Sequence, residues 1–180
     1  MRLGETLGIT RQELIRSDGL PCLLVEWQLK EFEKDTVIPA GYRVRHLGGR
    51  MWLTRPKTRK GQRLIPLPAD LAADLESYMD SAGIPDDQPV FRSGRGNPIC
   101  KDTLHHAWRR ALDRAGLPHV SIHSARHTAA TAFARLGVSG LARQSILGHA
   151  DVGTTNAIYT HVDAGMLAGA IDGVERLIEG

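Results

Sequence analysis

Two histidines and an arginine, His123, Arg126 and His127, fall within five residues of SIHSARHTAATAFARLG, a stretch that opens at Ser121 as an apolar helix begins. Titratable side chains at the mouth of a core helix carry a desolvation cost unless a ligand or a local hydrogen bond answers them. Metal ligation is the first chemistry to weigh, because His119, His123 and His127 recur at i, i+4. No carboxylate or cysteine stands beside them at a recognisable ligand spacing, so no metal is expected. Each feature also has an ordinary reading. His123 can be satisfied by backbone at a helix start, Arg126 can be a surface arginine, and Tyr159 can pack at a helix edge.

The combination reads differently. From the N-terminus the chain offers Arg2 and Glu5 in RLGE, Lys57 in RPKTRKGQRLIPLP, His123 and Arg126 in HSAR, then His149 and Tyr159 in ILGHADVGTTNAIYTHV. This ordered series resembles the tyrosine recombinase family, the phage-integrase type of site-specific recombinase. The family pattern is R-x-G-E, a lysine in a β-turn, H-x-x-R, L-G-H, and a tyrosine about ten residues after that histidine. Singly these motifs are common; here all stand in order over nearly the whole chain. The resemblance implies an enzyme that cuts and rejoins DNA through a 3'-phosphotyrosyl bond to Tyr159, with no cofactor.

The residue types suit that chemistry. Phosphoryl transfer builds negative charge on nonbridging oxygens, so catalysis is mostly positioning and electrostatic stabilisation. Arg2 and Arg126 each offer a flat fork of donors that stays charged at physiological pH. A lysine at the tip of a turn, Lys57, can protonate the departing 5'-oxygen, and His123 can take the tyrosine proton. His149 can donate to a nonbridging oxygen, and Glu5 can orient Arg2 or His123. Arg55, Arg59, Lys60 and Arg63 are expected to contact DNA phosphates, with Arg109 and Arg110 as weaker candidates. His127 and His161 read as structural.

The elements that must position these residues follow from patterning. Residues 2–16 read as helix in two pieces, with Thr10 and Glu13 forming a T-x-x-E capping box and Ser17, Asp18 and Gly19 ending it. LPCLLVEWQL, RMWLTRP and QRLIPLP read as three strands, and residues 30–49 as a long irregular insert. Helical spacing then takes over, with Leu71, Leu75, Tyr78 and Met79 on one face and Leu104, Trp108, Ala111 and Leu112 on the next. From His123 the chain is nearly all helix, with breaks at Gly137, Gly148 and near Asp163, and an amphipathic tail over 164–180. The expected class is α+β, mostly helical with a small three-stranded antiparallel sheet.

Composition sets the outer bounds. A chain of 180 residues that is 42% hydrophobic is one domain with a full core. A net charge of +3 and a pI of about 9.1 admit a polyanionic partner without requiring one. Cys22 and Cys100 are expected to be free thiols, and the absence of a membrane span or signal layout points to the cytoplasm of a bacterial or phage-infected cell, at the nucleoid.

The resemblance also implies partners: double-stranded DNA recombination sites, a homo-tetramer on DNA for the full-length protein, and a directionality factor; the C-terminal tail has two readings, exchange with a neighbouring subunit or packing on its own domain. Family members carry an N-terminal DNA-clamping domain and further helices before the first arginine. Here that arginine is residue 2, so residues 1–180 are expected to be a catalytic domain without those helices. Two rival readings share the motifs: an inactive DNA-binding or assembly fragment, and a type IB topoisomerase-like nicking and closing activity.

Overall fold

A computed structural model describes residues 1–55, 62–148 and 164–179 of the chain. Helix α1 (Leu3–Leu7) leads into a 3-10 turn (Arg11–Glu13) and six strands: β1 (Leu14–Ser17), β2 (Leu20–Val25), β3 (Gln28–Glu31), β4 (Val44–Gly48), β5 (Met51–Thr54) and β6 (Arg63–Pro66). Helices α2 (Ala69–Ser81), α3 (Lys101–Arg114), α4 (Ile122–Arg135), α5 (Gly140–Leu147) and α6 (Ala164–Glu179) follow. The class is α+β, as expected. The strands, however, form two three-stranded antiparallel sheets, ordered β1-β2-β6 and β3-β5-β4.

Two local signals explain the difference. Asp18 and Gly19 both have positive φ, 51° and 80°, and Ser17 pairs with Leu20 across them. That Asp-Gly pair is a two-residue hairpin turn of the kind whose twist suits antiparallel strands. Residues 14–16, expected to be helical, are therefore part of the first strand. Thr10 and Glu13 do form the capping box, with the Glu13 carboxylate accepting the Thr10 N–H at 2.5 Å, but it opens a single 3-10 turn. The second signal is the break of LPCLLVEWQL at Glu26 and Trp27, which sends β2 to one sheet and β3 to the other. The insert contributes β4, which reaches β5 through Gly48 and Gly49, both at positive φ.

Three apolar clusters hold these layers. Leu7, Leu29 and Leu53 lie between α1 and the β3-β5-β4 sheet; Met79, Ile84 and Val90 form a second group. The third gathers Val25, Ile65, Phe133, Ala142, Ile146 and Leu147 from β2, β6, α4 and α5. On α2 the buried residues are Ala72 and Met79, whereas Leu71 and Tyr78 are exposed, so its inward face is rotated from the expected one. On α3, Leu112 is buried and Ala111 is exposed. Helices α4 and α5 end before Gly137 and Gly148, each at φ 70°, as their left-handed stops require. Ala170, Ile171 and Val174 of α6 pack on the third cluster within the same chain. Both cysteines are free thiols.

Glu13 is 3% exposed. Burial pushes its carboxyl up to about 7 against the Thr10 hydrogen bonds, with the Glu26 carboxylate raising it further and Arg45 opposing. Its folded pKa lies above the unfolded value, so its contribution to stability is complete below about pH 4.5 and is lost as pH rises through 7, on the order of 3 kcal/mol across that window. Glu13→Gln should flatten this slope, measured as the urea midpoint at pH 5 and pH 8. An unchanged slope would remove Glu13 as its source.

Candidate active site

Leu3 and Leu7 seat α1 on Leu29 and Leu53. A Cβ on Gly8 would lie 2.8 Å from Gln28 Cα, and one on Gly4 3.1 Å from the Leu29 carbonyl oxygen, so both glycines let the helix rest directly on β3. Arg2 stands just before this helix, and its N–H donates to Glu5 Oε2 at 2.7 Å. Its guanidinium donates through Nη1 to Glu5 Oε1 at 3.1 Å and through Nη2 to the Gly148 carbonyl at 2.7 Å. The x-G-E that follows the arginine thus has two physical reasons: a close approach and an acceptor.

Glu5 also receives Arg63 from β6. Arg63 Nη1 and Nη2 donate to the two Glu5 oxygens at 3.2 and 2.7 Å, and its Nε donates to the Ile146 carbonyl at 3.1 Å. Burial alone would push the Glu5 carboxyl up. The Arg63 hydrogen bonds and charge, then the Arg2 bonds, overcome this and hold it at about 2. Arg126, one helical turn after His123 on α4, donates through Nη2 to the Leu147 carbonyl. Three consecutive carbonyls at the end of α5 therefore each face an arginine, where a helix leaves carbonyls unpaired and its dipole is negative.

Arg2 and Arg63 bond the Glu5 carboxylate and Arg126 bonds the adjacent Leu147 carbonyl, so three guanidiniums stand beside one carboxylate, a surplus of two positive charges among these four side chains. Burial, then the charge of Arg2 and of Arg63, lowers the Arg126 pKa, with Glu5 opposing. Arg126 Nη1 is buried and has no hydrogen-bond partner among the described residues. Arg2 is open to solvent, its side chain 53% exposed. An anion of phosphate size meets both needs: it answers the charge surplus and offers acceptors to flat guanidinium forks.

The expected residues divide into three groups. Arg2, Glu5 and Arg126 come together. Lys57, Arg59, Lys60, His149, Tyr159 and His161 lie outside the described residues. His123 is exposed on the first turn of α4, its ring edge-to-face with His127 at 4.6 Å between centroids. His119 precedes α4 and bonds Asp113 at 2.6 Å, so the three histidines do not form one helical stripe.

Two residues expected at the DNA face have protein partners in the structure. Arg63 is 5% exposed with all three guanidinium nitrogens bonded to protein acceptors, so its guanidinium is committed within the protein. Its strand held the clue: period-two alternation puts Arg63 on the same side as the core residue Ile65. Arg55 pairs with Glu26 at 2.8 Å and lies over the Trp27 ring at 4.7 Å, so it is engaged within the sheet layer. Gln62 donates to the other Glu26 oxygen at 2.7 Å. One carboxylate thus holds both residues that flank 56–61, an arrangement no sequence motif announced.

Gly148 joins the cluster sterically. A Cβ there would lie 2.6 Å from Arg63 Cζ, and the residue sits at φ 70°. Gly148→Ala should destabilise the fold by about 2–4 kcal/mol, from left-handed strain plus displacement of a buried donor. In an Arg63→Ala background the same substitution should cost about 1 kcal/mol, the strain alone. Urea unfolding of the four proteins measures this, and additive costs would show that Arg63 and Gly148 do not interact.

Residues 42–166 match the Phage integrase family. The chain is 29% identical over 170 residues to the tyrosine recombinase XerC-like protein of Caldanaerobacter subterraneus subsp. tengcongensis, covering 86% of this chain and 43% of that protein. It is 35% identical over 114 residues to tyrosine recombinase XerC of Xylella fastidiosa, covering 62% and 38%. To tyrosine recombinase XerD of Neisseria meningitidis serogroup B it is 32% identical over 120 residues, covering 61% and 39%. The chain therefore spans about two fifths of the length of these relatives. Its fold is similar to that of the Tn1549 transposon integrase solved in complex with transposon right end DNA, at a TM-score of 0.64 and 22% identity over 99% of this chain and 55% of that one. With well over half its length matched and the arginine cluster built around R-x-G-E and H-x-x-R, the chain belongs to the phage integrase family.

Proposed function

We propose that this chain is the catalytic portion of a tyrosine site-specific recombinase, and that it cuts and rejoins duplex DNA through a transient bond between Tyr159 and a 3'-phosphate. The observation that carries this reading is the surplus of positive charge where Arg2 and Arg126 meet, with Arg126 Nη1 buried and unpaired among the described residues. The Tyr159 oxygen attacks the scissile phosphorus and the 5'-oxygen leaves, taking its proton from Lys57. His123 accepts the tyrosine proton, while Arg2, Arg126 and His149 stabilise charge on the nonbridging oxygens. Attack by a 5'-hydroxyl reverses the step and conserves the bond energy.

DNA as the substrate is supported by the relatives' names and by the Tn1549 integrase solved on transposon DNA. The full-length protein would work as a homo-tetramer on paired sites in the bacterial cytoplasm, at the nucleoid, with a directionality factor as a further partner. Subunit exchange of the tail would require α6 to leave its seat on the cluster of Val25, Ile65 and Phe133.

A duplex nicked beside the cleavage point traps the intermediate and tests the reading. The wild-type chain should form a covalent protein–DNA adduct that Tyr159→Phe abolishes. Arg2→Ala and Arg126→Ala should each lower cleavage at least a hundredfold with binding weakened only modestly. DNA binding with no adduct would favour an inactive fragment, and relaxation without strand exchange a topoisomerase-like activity. Lys57→Ala should cleave slowly on an oxygen leaving group and recover on a 5'-phosphorothiolate, whose sulfur needs no proton. Failure to recover would remove Lys57 as the acid.

A further inference from the structure

We infer that Arg63 is a positioning residue of the active site, whose buried guanidinium ties α1 to the end of α5 and thereby sets where Arg2 and Arg126 present their forks. This rests on the recombinase reading above. Arg63 does not reach the phosphate itself. It is 5% exposed, and its three nitrogens are bonded to Glu5 and to the Ile146 carbonyl.

Its bonds run to the supports of both catalytic arginines. Glu5 holds Arg2 through the Arg2 N–H and the guanidinium, at 2.7 and 3.1 Å. Ile146 precedes Leu147, whose carbonyl takes Arg126, and Gly148, whose carbonyl takes Arg2 at 2.7 Å. The guanidinium also lies flat against Gly148, where no Cβ fits. Displacing Arg63 therefore moves the acceptor of Arg2 and the carbonyl row together. The same bonds keep Glu5 ionised, so that it remains an acceptor at any pH where the enzyme would work.

The geometry requires a planar fork. Two parallel bonds go to one carboxylate while the third nitrogen turns to a carbonyl, which a single ammonium cannot reproduce. Positioning to within half an ångström is what such supports supply, and small misplacements of charge-stabilising groups cost rate steeply.

The test is single-turnover cleavage of the nicked duplex by wild type, Arg63→Lys and Arg63→Gln, with DNA at saturating concentration and Kd measured separately. Both variants should cleave at least tenfold more slowly, with Kd within twofold of wild type and an undiminished final yield of adduct. The yield separates a misplaced site from a misfolded fraction, which would lower yield and leave the rate of the remainder unchanged. If the buried site rejects lysine and glutamine, Glu5→Leu/Arg63→Leu replaces the ion pair by apolar volume, a change that buried pairs commonly tolerate. That protein should unfold near the wild-type temperature and bind DNA normally, yet cleave at least tenfold more slowly. Normal cleavage by these variants overturns the inference, as does a tenfold weaker Kd with unchanged cleavage at saturation, which would make Arg63 a DNA contact. Failure of wild type to form any adduct would overturn the recombinase reading itself.

Discussion

Glu5 is the acceptor on which the site depends. Its two oxygens hold Arg63 in a bidentate pair and Arg2 at the helix start, in a place that is 8% exposed. A buried ion pair stabilises little over an apolar substitute, but removing one partner leaves a buried charge and costs about 3–5 kcal/mol. The pair is therefore better understood as a device for orientation than as a source of stability. It lets Arg2 and Arg63 stand close together on one carboxylate.

The end of α5 supplies the complementary constraint. A helix leaves its last carbonyls unpaired, and here those of Ile146, Leu147 and Gly148 receive Arg63, Arg126 and Arg2 in turn. Ile146 and Leu147 are buried with Phe133 and Ile65, so the carbonyl row is anchored by the core. The geometry of the guanidiniums is thus inherited from hydrophobic packing between β6, α4 and α5. Each carbonyl engages only part of a fork: Arg126 Nη1 remains unpaired among the described residues.

A second carboxylate does comparable work at the sheet layer. Glu26 lies where the chain leaves one sheet for the other, and it bonds Arg55 and Gln62, the described residues that flank 56–61. Trp27 next to it carries both Arg45 and Arg55 over its ring, at 5.2 and 4.7 Å. Cation–π contact and the ion pair together give the two sheets a polar joint. Glu13, buried nearby with its raised carboxyl, feels both Glu26 and Arg45, so the joint extends to the turn before β1.

Much of this molecule was legible in its residues. The ordered motifs picked out Arg2, Glu5 and Arg126, which the fold brings to one place, and the bond between Arg2 and Glu5 follows from their spacing. Helix stops at Gly83, Gly137 and Gly148 follow from local chemistry, because left-handed φ is a property of a single residue. The Asp18-Gly19 turn was equally local, and alternation in QRLIPLP already put Arg63 beside Ile65 on one face; both signals were present and read as something else. Other features depend on partners far apart in the chain. That α2 buries Ala72 rather than Leu71, that Arg63 finds Glu5 and Ile146, and that one strand pattern is divided between two sheets were decided by packing. Sequence by itself determined which residues can bind a phosphate and in what order they occur, since charge and hydrogen-bonding capacity belong to each side chain. Only the tertiary structure decided which arginine is open to solvent and which is buried against protein acceptors, since burial and the choice of acceptor are set by contacts between elements.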